Sequence, residues 1–359
     1  MIHEFENGLC CLPSITSSIG EAGSHFRSAD MSSPLESGAK MSGGTGSAPS
    51  NLHMERTLIR CVFVTMIGLA LAGQPLALDV ATDSLASAWP PEAIYRGATL
   101  ADDLTFPDAA ETASGVTAPR MALLKPSGEG PFPAVVMVHQ CAGLNQAVLA
   151  RARKAVSMNY VVLLMDSLGP RGVTTVCYGP KEGVNLFRGT RDALQASEHL
   201  RRQPFVDKDR IALVGFSWGA MVGLLASSPH YVKALKAGPG FAAVASFYPG
   251  CYLISPPNRP PFEIVNADIA HPLLVLMGEA DTETPAAECV EKLEAIKKAG
   301  APVEWHVYPE TTHCWDCQQL DGVRKIDVRG HQVEYHFQQS VTDDSEQKLF
   351  QFLSKAMPR

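Results

Sequence analysis

Residues 211–228 read I-A-L-V-G-F-S-W-G-A-M-V-G-L-L-A-S-S. The stretch begins with an apolar run of strand length, Ile211–Val214, and ends with a run of small and apolar residues, Ala220–Ala226, that is typical of a helix. The turn between the two runs carries the pattern G-x-S-x-G, with Ser217 at its centre. A serine on a sharp strand-to-helix turn needs small residues two positions away on either side, and the two glycines supply them. The stretch therefore predicts a serine nucleophile at the end of a buried strand.

Residues 116–359 repeat this alternation of strands and helices. The apolar runs of strand length are Ala134–Val138, Tyr160–Met165, Ile211–Val214, Phe241–Ser246 and Leu273–Met277, with edge strands expected at Arg120–Leu124 and Val303–Tyr308. The segments with a helical pattern are Gln146–Ser157, Leu186–Arg202, the run after Ser217, Ala286–Lys298 and Ser345–Ala356. Strands that are apolar on consecutive residues are buried on both faces of a parallel sheet. We therefore predict an α/β fold, with a doubly wound, mostly parallel sheet, helices on both of its faces and no large cap domain.

Three polar residues follow the ends of these strands. Ser217 follows one apolar run, Asp281 follows Leu273–Met277, and His313 follows Val303–Tyr308. Because ligands bind beyond the C-terminal ends of parallel strands, we expect the three side chains to meet at one edge of the sheet. The chain order Ser, Asp, His is that of a catalytic triad on an α/β-hydrolase sheet.

The chemistry of each residue suits one role in acyl transfer. Ser217 is a weak nucleophile that needs a base, and His313 can take its proton near neutral pH and return it to a leaving group. Asp281 would hold the imidazole in the right tautomer. The developing oxyanion needs two backbone N–H donors, which we expect from Trp218 and Cys141.

Other residues compete for the role of the acid. Asp281 could instead cap the helix that begins after Pro285, and Glu279 and Glu283 are rival carboxylates. Asp166 also follows a strand, although it precedes the serine in the chain. We favour Asp281 because it keeps the expected chain order.

Further residues lie close in sequence to the strand ends. We expect Gln140, Arg171 and Trp315 to line the substrate pocket, and His139 to be structural.

The first 115 residues do not have the pattern of a folded domain. Residues 1–53 include a stretch rich in Ser and Gly, and we interpret them as a disordered or wrongly assigned extension, with Met54 as the expected start. Residues 54–72 combine two arginines, a short apolar core and A-L-A, which is typical of a signal peptide, and 73–115 are irregular. We therefore expect export to the periplasm or the medium, without stable membrane insertion after cleavage; an uncleaved anchor is the alternative.

The composition and net charge limit the classes of partner that we expect. A chain of 359 residues with 46% hydrophobic and 19% charged residues is globular. Its formal net charge is −7, and no run of Lys and Arg occurs, so we do not expect nucleic acid as a partner. The sequence carries no signal for an oligomeric state.

An even number of cysteines follows the expected cleavage site, which in an exported chain suggests disulfides. Cys177 and Cys251 follow strands that we place on opposite sides of the strand that carries the serine, so the strand ends are about 10 Å apart. Loops can close that gap, and we predict a Cys177–Cys251 bond, with Cys141–Cys177 as the competing pairing. Cys314 and Cys317 form a C-x-x-C pattern, in which we expect structural disulfide partners rather than a redox or metal site.

The chain resembles the exported branch of the dienelactone hydrolase family of α/β hydrolases over about residues 120–353. The resemblance rests on 139–143, 166–172, 203–207, 215–219, 247–251, 278–285 and 308–313. It implies a compact domain that hydrolyses esters or lactones of small carboxylic acids and uses no metal or other cofactor. Cytosolic members of the family that it resembles carry G-x-C-x-G at the elbow and a Glu where this chain has Gln140. Both departures fit a serine esterase and count against dienelactone itself as the substrate.

Three functions are compatible with the sequence. The first is a serine hydrolase that acts on a small-molecule ester or lactone through an acyl-enzyme. The second is a serine peptidase of the same fold, which usually carries a large extra domain. The third is a binding protein of this fold that has lost catalysis, against which the presence of all three triad residues counts.

Overall fold

A computed structural model of the chain describes residues 101–256 and 260–358. The predicted extension (1–53) and signal peptide (54–72) lie outside the described residues, as does most of the irregular segment (73–115). None of the helices in the described ranges combines the length and the apolar character that a membrane span requires.

Twelve strands occur in the described part of the chain. They are β1 (Ala110–Glu111), β2 (Ala122–Leu124), β3 (Phe132–Val138), β4 (Val161–Met165), β5 (Val206–Phe216), β6 (Ala243–Phe247), β7 (Leu253–Ile254), β8 (Phe262–Glu263), β9 (Leu273–Gly278), β10 (Val303–Tyr308), β11 (Arg324–Ile326) and β12 (Gln332–Glu334). Eight of them form one sheet in the order β1-β2-β4-β3-β5-β6-β9-β10. Strands β3 to β6, β9 and β10 run parallel, and β2 pairs antiparallel with β4. The remaining strands pair as the hairpins β7–β8 and β11–β12.

The described α-helices cover both faces of the sheet. They are α1 (Gln146–Ser157), α2 (Leu186–Arg201), α3 (Trp218–Ala226), α4 (Pro229–Leu235), α5 (Ala286–Lys298) and α6 (Gln339–Ala356). Helices α2 to α5 share a core with residues such as Leu163 and Leu213, whereas α1 and α6 share a second core with Val162 and Val214. Neighbouring residues of one strand thus enter opposite cores, which explains why the central strands are apolar at successive positions.

The predicted α/β architecture is confirmed, with differences at some boundaries. Strand β5 begins at Val206 rather than Ile211, and α6 begins at Gln339 rather than Ser345. Helix α4, the two hairpins and β1 were not predicted because their apolar patterns are too short to show a period. Because β1 pairs with β2, the strand expected at the edge over Arg120–Leu124 is second from the edge instead.

The order of strands places a topological switch point between β3 and β5. From β3 the chain moves outward to β4, and from β4 it crosses back to β5 and continues to β6 on the other side. The loops that follow β3 and β5 therefore diverge and leave a crevice at the C-terminal edge of the sheet. Val138 and Gly215, which pair near these strand ends, bring the two loops side by side.

The predicted Cys177–Cys251 disulfide is wrong. Cys177 is bonded to Cys141, which is the competing pairing, and Cys251 is bonded to Cys289 on α5. The strands before Cys177 and Cys251 are β4 and β6, and both β3 and β5 lie between them, so their ends are about 14 Å apart rather than 10 Å. Cys141 follows β3, the direct neighbour of β4.

The third disulfide joins Cys314 and Cys317 of the C-x-x-C pattern. Together with Asp316, these cysteines form a close group of potential metal ligands among the described residues. Since the two sulfurs are joined, neither is a thiolate, and the structure confirms that the two cysteines are disulfide partners.

Candidate active site

The turn between β5 and α3 has the geometry expected of a nucleophile elbow. Ser217 has a φ of 50° and lies at the N-terminal end of α3. A Cβ atom at Gly215 would lie 2.0 Å from the carbonyl oxygen of Gly219, and one at Gly219 would lie 2.4 Å from that of Val138. Both glycines are therefore required by close approach of the backbone, and the positive φ at a serine is the local strain that such a turn imposes.

The side chains of Ser217, His313 and Asp281 form one continuous chain of contacts. Ser217 Oγ lies 2.9 Å from His313 Nε2, and His313 Nδ1 lies 2.7 Å from Asp281 Oδ2. All three residues are at least nine-tenths buried. The structure thus brings together the three residues that the strand-end argument selected, in the relative geometry of nucleophile, base and orienting acid.

The Asp281 carboxylate is held in place by further hydrogen bonds. The backbone N–H groups of Glu283 and Thr284 donate to Oδ1 at 2.9 and 2.8 Å, and the Thr284 hydroxyl donates to Oδ2 at 2.8 Å. Two of the rival acids are engaged elsewhere: Asp166 accepts from two backbone N–H groups of its own loop, and Glu279 from the backbone of Glu310. The third, Glu283, lies near His313 Nε2 rather than Nδ1. Of the candidate acids, only Asp281 contacts His313 Nδ1 within the described residues.

Two carboxylates act on the protonation of His313. Burial alone lowers the pKa of the His313 imidazole, but the charges of Asp281 and Glu283 prevail and leave that pKa above its ordinary value. Glu283 Oε2 lies 3.8 Å from His313 Nε2, on the opposite side of the ring from Asp281. The site therefore stabilises an imidazolium, which is the form that a base acquires when it takes the serine proton.

Two backbone donors are available beside the serine. The N–H groups of Trp218 and Cys141 donate to no acceptor within the described part of the chain, whereas Gly219 N–H donates to the carbonyl of His139 at 3.0 Å. Trp218 begins α3, so its N–H also carries the positive end of the helix dipole. The loop with Cys141 is bound to that of Cys177 by the disulfide. Both N–H groups therefore remain candidates for the predicted oxyanion donors.

His139 holds the loop that carries Cys141 through buried hydrogen bonds. It is fully buried, its Nδ1 donates to the carbonyl of Gln140 at 2.6 Å, and its Nε2 accepts from the Ser167 N–H at 3.0 Å. Its ring stacks on that of Trp218 with centroids 5.3 Å apart. Burial lowers the pKa of His139, which keeps the ring neutral and agrees with its structural interpretation.

The residues predicted to line the pocket are placed differently. Trp315 is fully buried in the core that α1 and α6 share, with its Nε1 donating to Ser345, so it does not line a pocket. The backbone turns at Cys314, which has a φ of 56° and lies between His313 and Trp315 in the chain. The Gln140 amide donates to Tyr248 Oη at 2.9 Å and contacts the sulfur of Cys314. Gln140 thus ties the loop after β3 to the loop that carries the histidine.

Arg171 is the third predicted pocket residue, and it is committed to an ion pair. Its guanidinium binds the fully buried carboxylate of Asp192 through both terminal nitrogens, at 2.7 and 2.9 Å. Asp192 also binds Arg188 at 2.7 Å. Such a bidentate pair holds the guanidinium in place and fixes the loop after β4, which makes Arg171 a structural residue.

Sequence reasoning missed Tyr248, which follows β6 with a φ of 44°. Its ring lies against that of His313 with centroids 4.8 Å apart, and its hydroxyl donates to Asp316 at 2.9 Å. Asp316 in turn pairs with the buried Arg151 of α1. Burial and the Asp316 charge raise the pKa of Tyr248 well above its ordinary value, so the hydroxyl remains a donor. Segment 247–251 is one of those on which the family resemblance rests, but its sequence does not indicate that Tyr248 contacts His313.

Three further residues close one side of the site. Glu283 accepts from Tyr335 Oη at 2.6 Å and from Lys325 Nζ at 2.8 Å, and the Tyr335 ring lies 5.8 Å from that of His313. Lys325 belongs to β11, and Tyr335 follows β12. The β11–β12 hairpin therefore reaches the site through these two side chains.

Comparisons with known proteins identify the family to which the chain is similar. A sequence model described as "Dienelactone hydrolase family" matches residues 120–356. A Methylorubrum extorquens protein with the provisional name carboxymethylenebutenolidase is 26% identical over 278 residues, which are 75% of this chain and 86% of that protein. Esterase FrsA of Salmonella typhi is 30% identical over 141 residues, which are 37% of this chain and 30% of that protein. A crystal structure of a provisionally named dienelactone hydrolase from Klebsiella pneumoniae is 18% identical, covers 64% of this chain and 89% of its own, and has a TM-score of 0.49.

Proposed function

This chain belongs to the dienelactone hydrolase family of α/β hydrolases, and from that premise we propose that it is a serine hydrolase that cleaves small carboxylic esters or lactones through an acyl-enzyme. Ser217 is the nucleophile in this proposal, His313 the general base and acid, and Asp281 the residue that orients the imidazole. The observation that carries the proposal is the unbroken contact chain from Ser217 Oγ through both ring nitrogens of His313 to Asp281.

In the acylation step, Ser217 Oγ attacks the substrate carbonyl while its proton passes to His313 Nε2. The negative charge that develops on the carbonyl oxygen is met by the N–H groups of Trp218 and Cys141. The imidazolium then donates the proton from Nε2 to the leaving alcohol oxygen, which departs as the neutral alcohol. The carboxylate of Asp281 stabilises the imidazolium throughout this step.

In the deacylation step, water takes the place of the alcohol. His313 Nε2 removes a proton from that water as it attacks the acyl-serine carbonyl, and the same two backbone donors hold the second oxyanion. Collapse of this intermediate returns the proton to Ser217 Oγ and releases the carboxylic acid. A lactone follows the same path, except that its alcohol remains attached to the acid that is released.

The test is a kinetic panel on the exported form of the protein. We expect short aryl esters and small lactones to be hydrolysed, and the Ser217→Ala variant to lose several orders of magnitude in kcat with its fold intact. A peptide library serves as the matched alternative. Hydrolysis of peptides in preference to esters would favour a peptidase, and binding of esters without Ser217-dependent turnover would favour a non-catalytic binder.

We also propose that the protein acts outside the cytosol. Three disulfides among the described residues support this proposal, because disulfides persist in oxidising compartments. Intact-mass measurement of the exported protein tests it, with a chain that begins near Gly73 as the expected result. A mature chain that retains Met1 would contradict it.

A further inference from the structure

A second carboxylate lies beside the nitrogen of His313 that faces the serine. Glu283 Oε2 is 3.8 Å from His313 Nε2, and Nε2 is 2.9 Å from Ser217 Oγ. The Glu283 side chain is 14% exposed, so it is neither free in solvent nor sealed in the core. A carboxylate in this position lies within reach of whatever occupies the space next to Nε2.

The leaving alcohol occupies that space during the proposed reaction. His313 Nε2 delivers its proton to the leaving oxygen, so this oxygen must come within hydrogen-bond distance of Nε2. The substituent on that oxygen then lies on the side of the ring where Glu283 is found. Glu283 is therefore placed to act on the alcohol part of the ester rather than on the acyl part.

The fixed charges around the site are negative on balance. The charges that act on His313 are those of Asp281, Glu283 and Lys325, which together amount to one negative charge when the imidazole is neutral. Lys325 binds the other carboxylate oxygen of Glu283, so the lysine is held on the far side of the carboxylate from Nε2. The oxygen that faces Nε2, Oε2, accepts from the uncharged Tyr335 hydroxyl at 2.6 Å. The charge closest to the leaving group is thus that of the Glu283 carboxylate.

The neighbouring arginines do not offset this charge. Arg171, the cation that the sequence suggests for the pocket, is bound bidentately by Asp192. Arg329, on the turn of the β11–β12 hairpin, is bound by both carboxylate oxygens of Glu288. Both guanidinium groups are therefore occupied by carboxylates, and neither arginine is free to bind an anionic substrate.

We infer that Glu283 is a specificity-determining residue that excludes esters with an anionic alcohol part and selects those with an uncharged or cationic one. This inference rests on the proposed esterase function and assigns it a substrate class. A like charge a few ångströms away in a mostly buried site lowers the kcat/KM of an anionic substrate by roughly one to two orders of magnitude, and the Lys325 charge offsets part of that effect.

The experiment compares two acetate esters that share an acyl group and differ in the charge of the alcohol part. They are 3-acetoxybenzoate, which is anionic, and its uncharged methyl ester, and the readout is the ratio of their kcat/KM values. We expect the wild type to favour the methyl ester by about tenfold or more. Glu283→Gln removes the carboxylate and leaves Lys325 without its partner, so the ratio should fall by about tenfold, mainly because the anion is hydrolysed faster.

Lys325→Met is the matched variant, in which the ratio of kcat/KM values is expected to change in the opposite direction. It leaves the Glu283 carboxylate without its counter-charge, so the ratio should rise above that of the wild type. Any change in the pKa or position of His313 affects both esters alike and cancels in the ratio, which separates specificity from positioning. If one variant fails to fold, the other still tests the inference, because the ratio must fall in Glu283→Gln and rise in Lys325→Met.

The outcomes separate this inference from the proposed function. If the wild type hydrolyses the methyl ester through Ser217 but neither variant moves the ratio, or both move it in the same direction, the role of Glu283 is refuted and the esterase remains. If the wild type shows no Ser217-dependent hydrolysis of the methyl ester or of the other short esters in the panel, the proposed function fails, and this inference fails with it.

Discussion

The Cys141–Cys177 disulfide provides a test of the oxyanion site, because a second disulfide of almost equal span serves as its control. Cys141 and Cys177 are 36 residues apart, and Cys251 and Cys289 are 38 apart. The chain-entropy model assigns each bond about 4 kcal/mol of stabilisation. For a domain of this size, loss of either bond should lower Tm by roughly 10 °C.

The two pairs should differ in their effect on catalysis. Cys141→Ala with Cys177→Ala frees the loop whose N–H we assign to the oxyanion, whereas Cys251→Ala with Cys289→Ala leaves that loop bonded. Removal of one oxyanion donor costs about 10²–10³ in kcat, so a donor that is loosened but still present should cost roughly tenfold. The control variant should retain kcat within a factor of about two.

The assay measures kcat and KM for a short aryl ester at 20 °C or below, where both variants remain folded by circular dichroism. We expect the loss in the first variant to fall on kcat rather than on KM, since the donor acts on charge that develops in the transition state. An unchanged kcat in the first variant, or an equal loss in the second, would show that the Cys141 loop does not position an oxyanion donor.

Four further predictions concern the triad, the neighbouring Glu283 and the elbow. Asp281→Asn should lower kcat by about 10⁴, whereas Asp166→Asn should retain it within a few fold, and steady-state kinetics that show the reverse would reassign the acid. Because carboxylates raise the pKa of the general base above 6.5, the pH profile of kcat/KM should fall on the acid side at a pH above that value. Glu283→Gln removes a negative charge that stabilises the imidazolium, so that limb should move to lower pH, and an unmoved limb contradicts the electrostatic assignment. Gly219→Ala places a Cβ within 2.4 Å of backbone and should abolish soluble folded protein. Gly172→Ala, with nothing within 4 Å of its Cβ, should lower the free energy of unfolding by only about 1 kcal/mol in denaturant unfolding. Equal stability of both variants would refute the steric argument.

The positions of the candidate triad could be predicted because they follow from topology alone. A strand such as β9 is apolar at every position since both of its faces are buried, and this identifies it as a central parallel strand. The residues that follow such strands must lie at the C-terminal edge of the sheet, where Ser217, Asp281 and His313 are found. No knowledge of side-chain packing is needed for this inference.

The disulfides could not be predicted because they depend on the order of strands. The order β4-β3-β5-β6 is a property of the whole sheet, and the sequence of one strand does not indicate which strand lies beside it. An assumed order in which Cys177 and Cys251 flank the serine strand gives a spacing that is too short by one strand. The bonded partners are set instead by the adjacency of β3 to β4 and by the position of α5.

The pocket residues could not be predicted because the direction of a side chain is not encoded by its distance from a strand end. Arg171 and Trp315 both follow strands closely, yet one turns to a buried carboxylate and the other enters the core beneath α6. Conversely, Lys325 and Tyr335 are far from any central strand and reach Glu283 through a hairpin whose strands have three residues each. Such contacts are decided by loop conformation rather than by periodicity.

The central claim is that Ser217 is a nucleophile activated by His313, and covalent labelling tests it most directly. A fluorophosphonate should modify the protein once, and peptide mapping should find the label on Ser217. The Ser217→Ala variant should take up no label, and His313→Ala should be labelled far more slowly, because the serine then lacks its base. Label on another residue, or labelling of the Ser217→Ala variant at the wild-type rate, would contradict the claim.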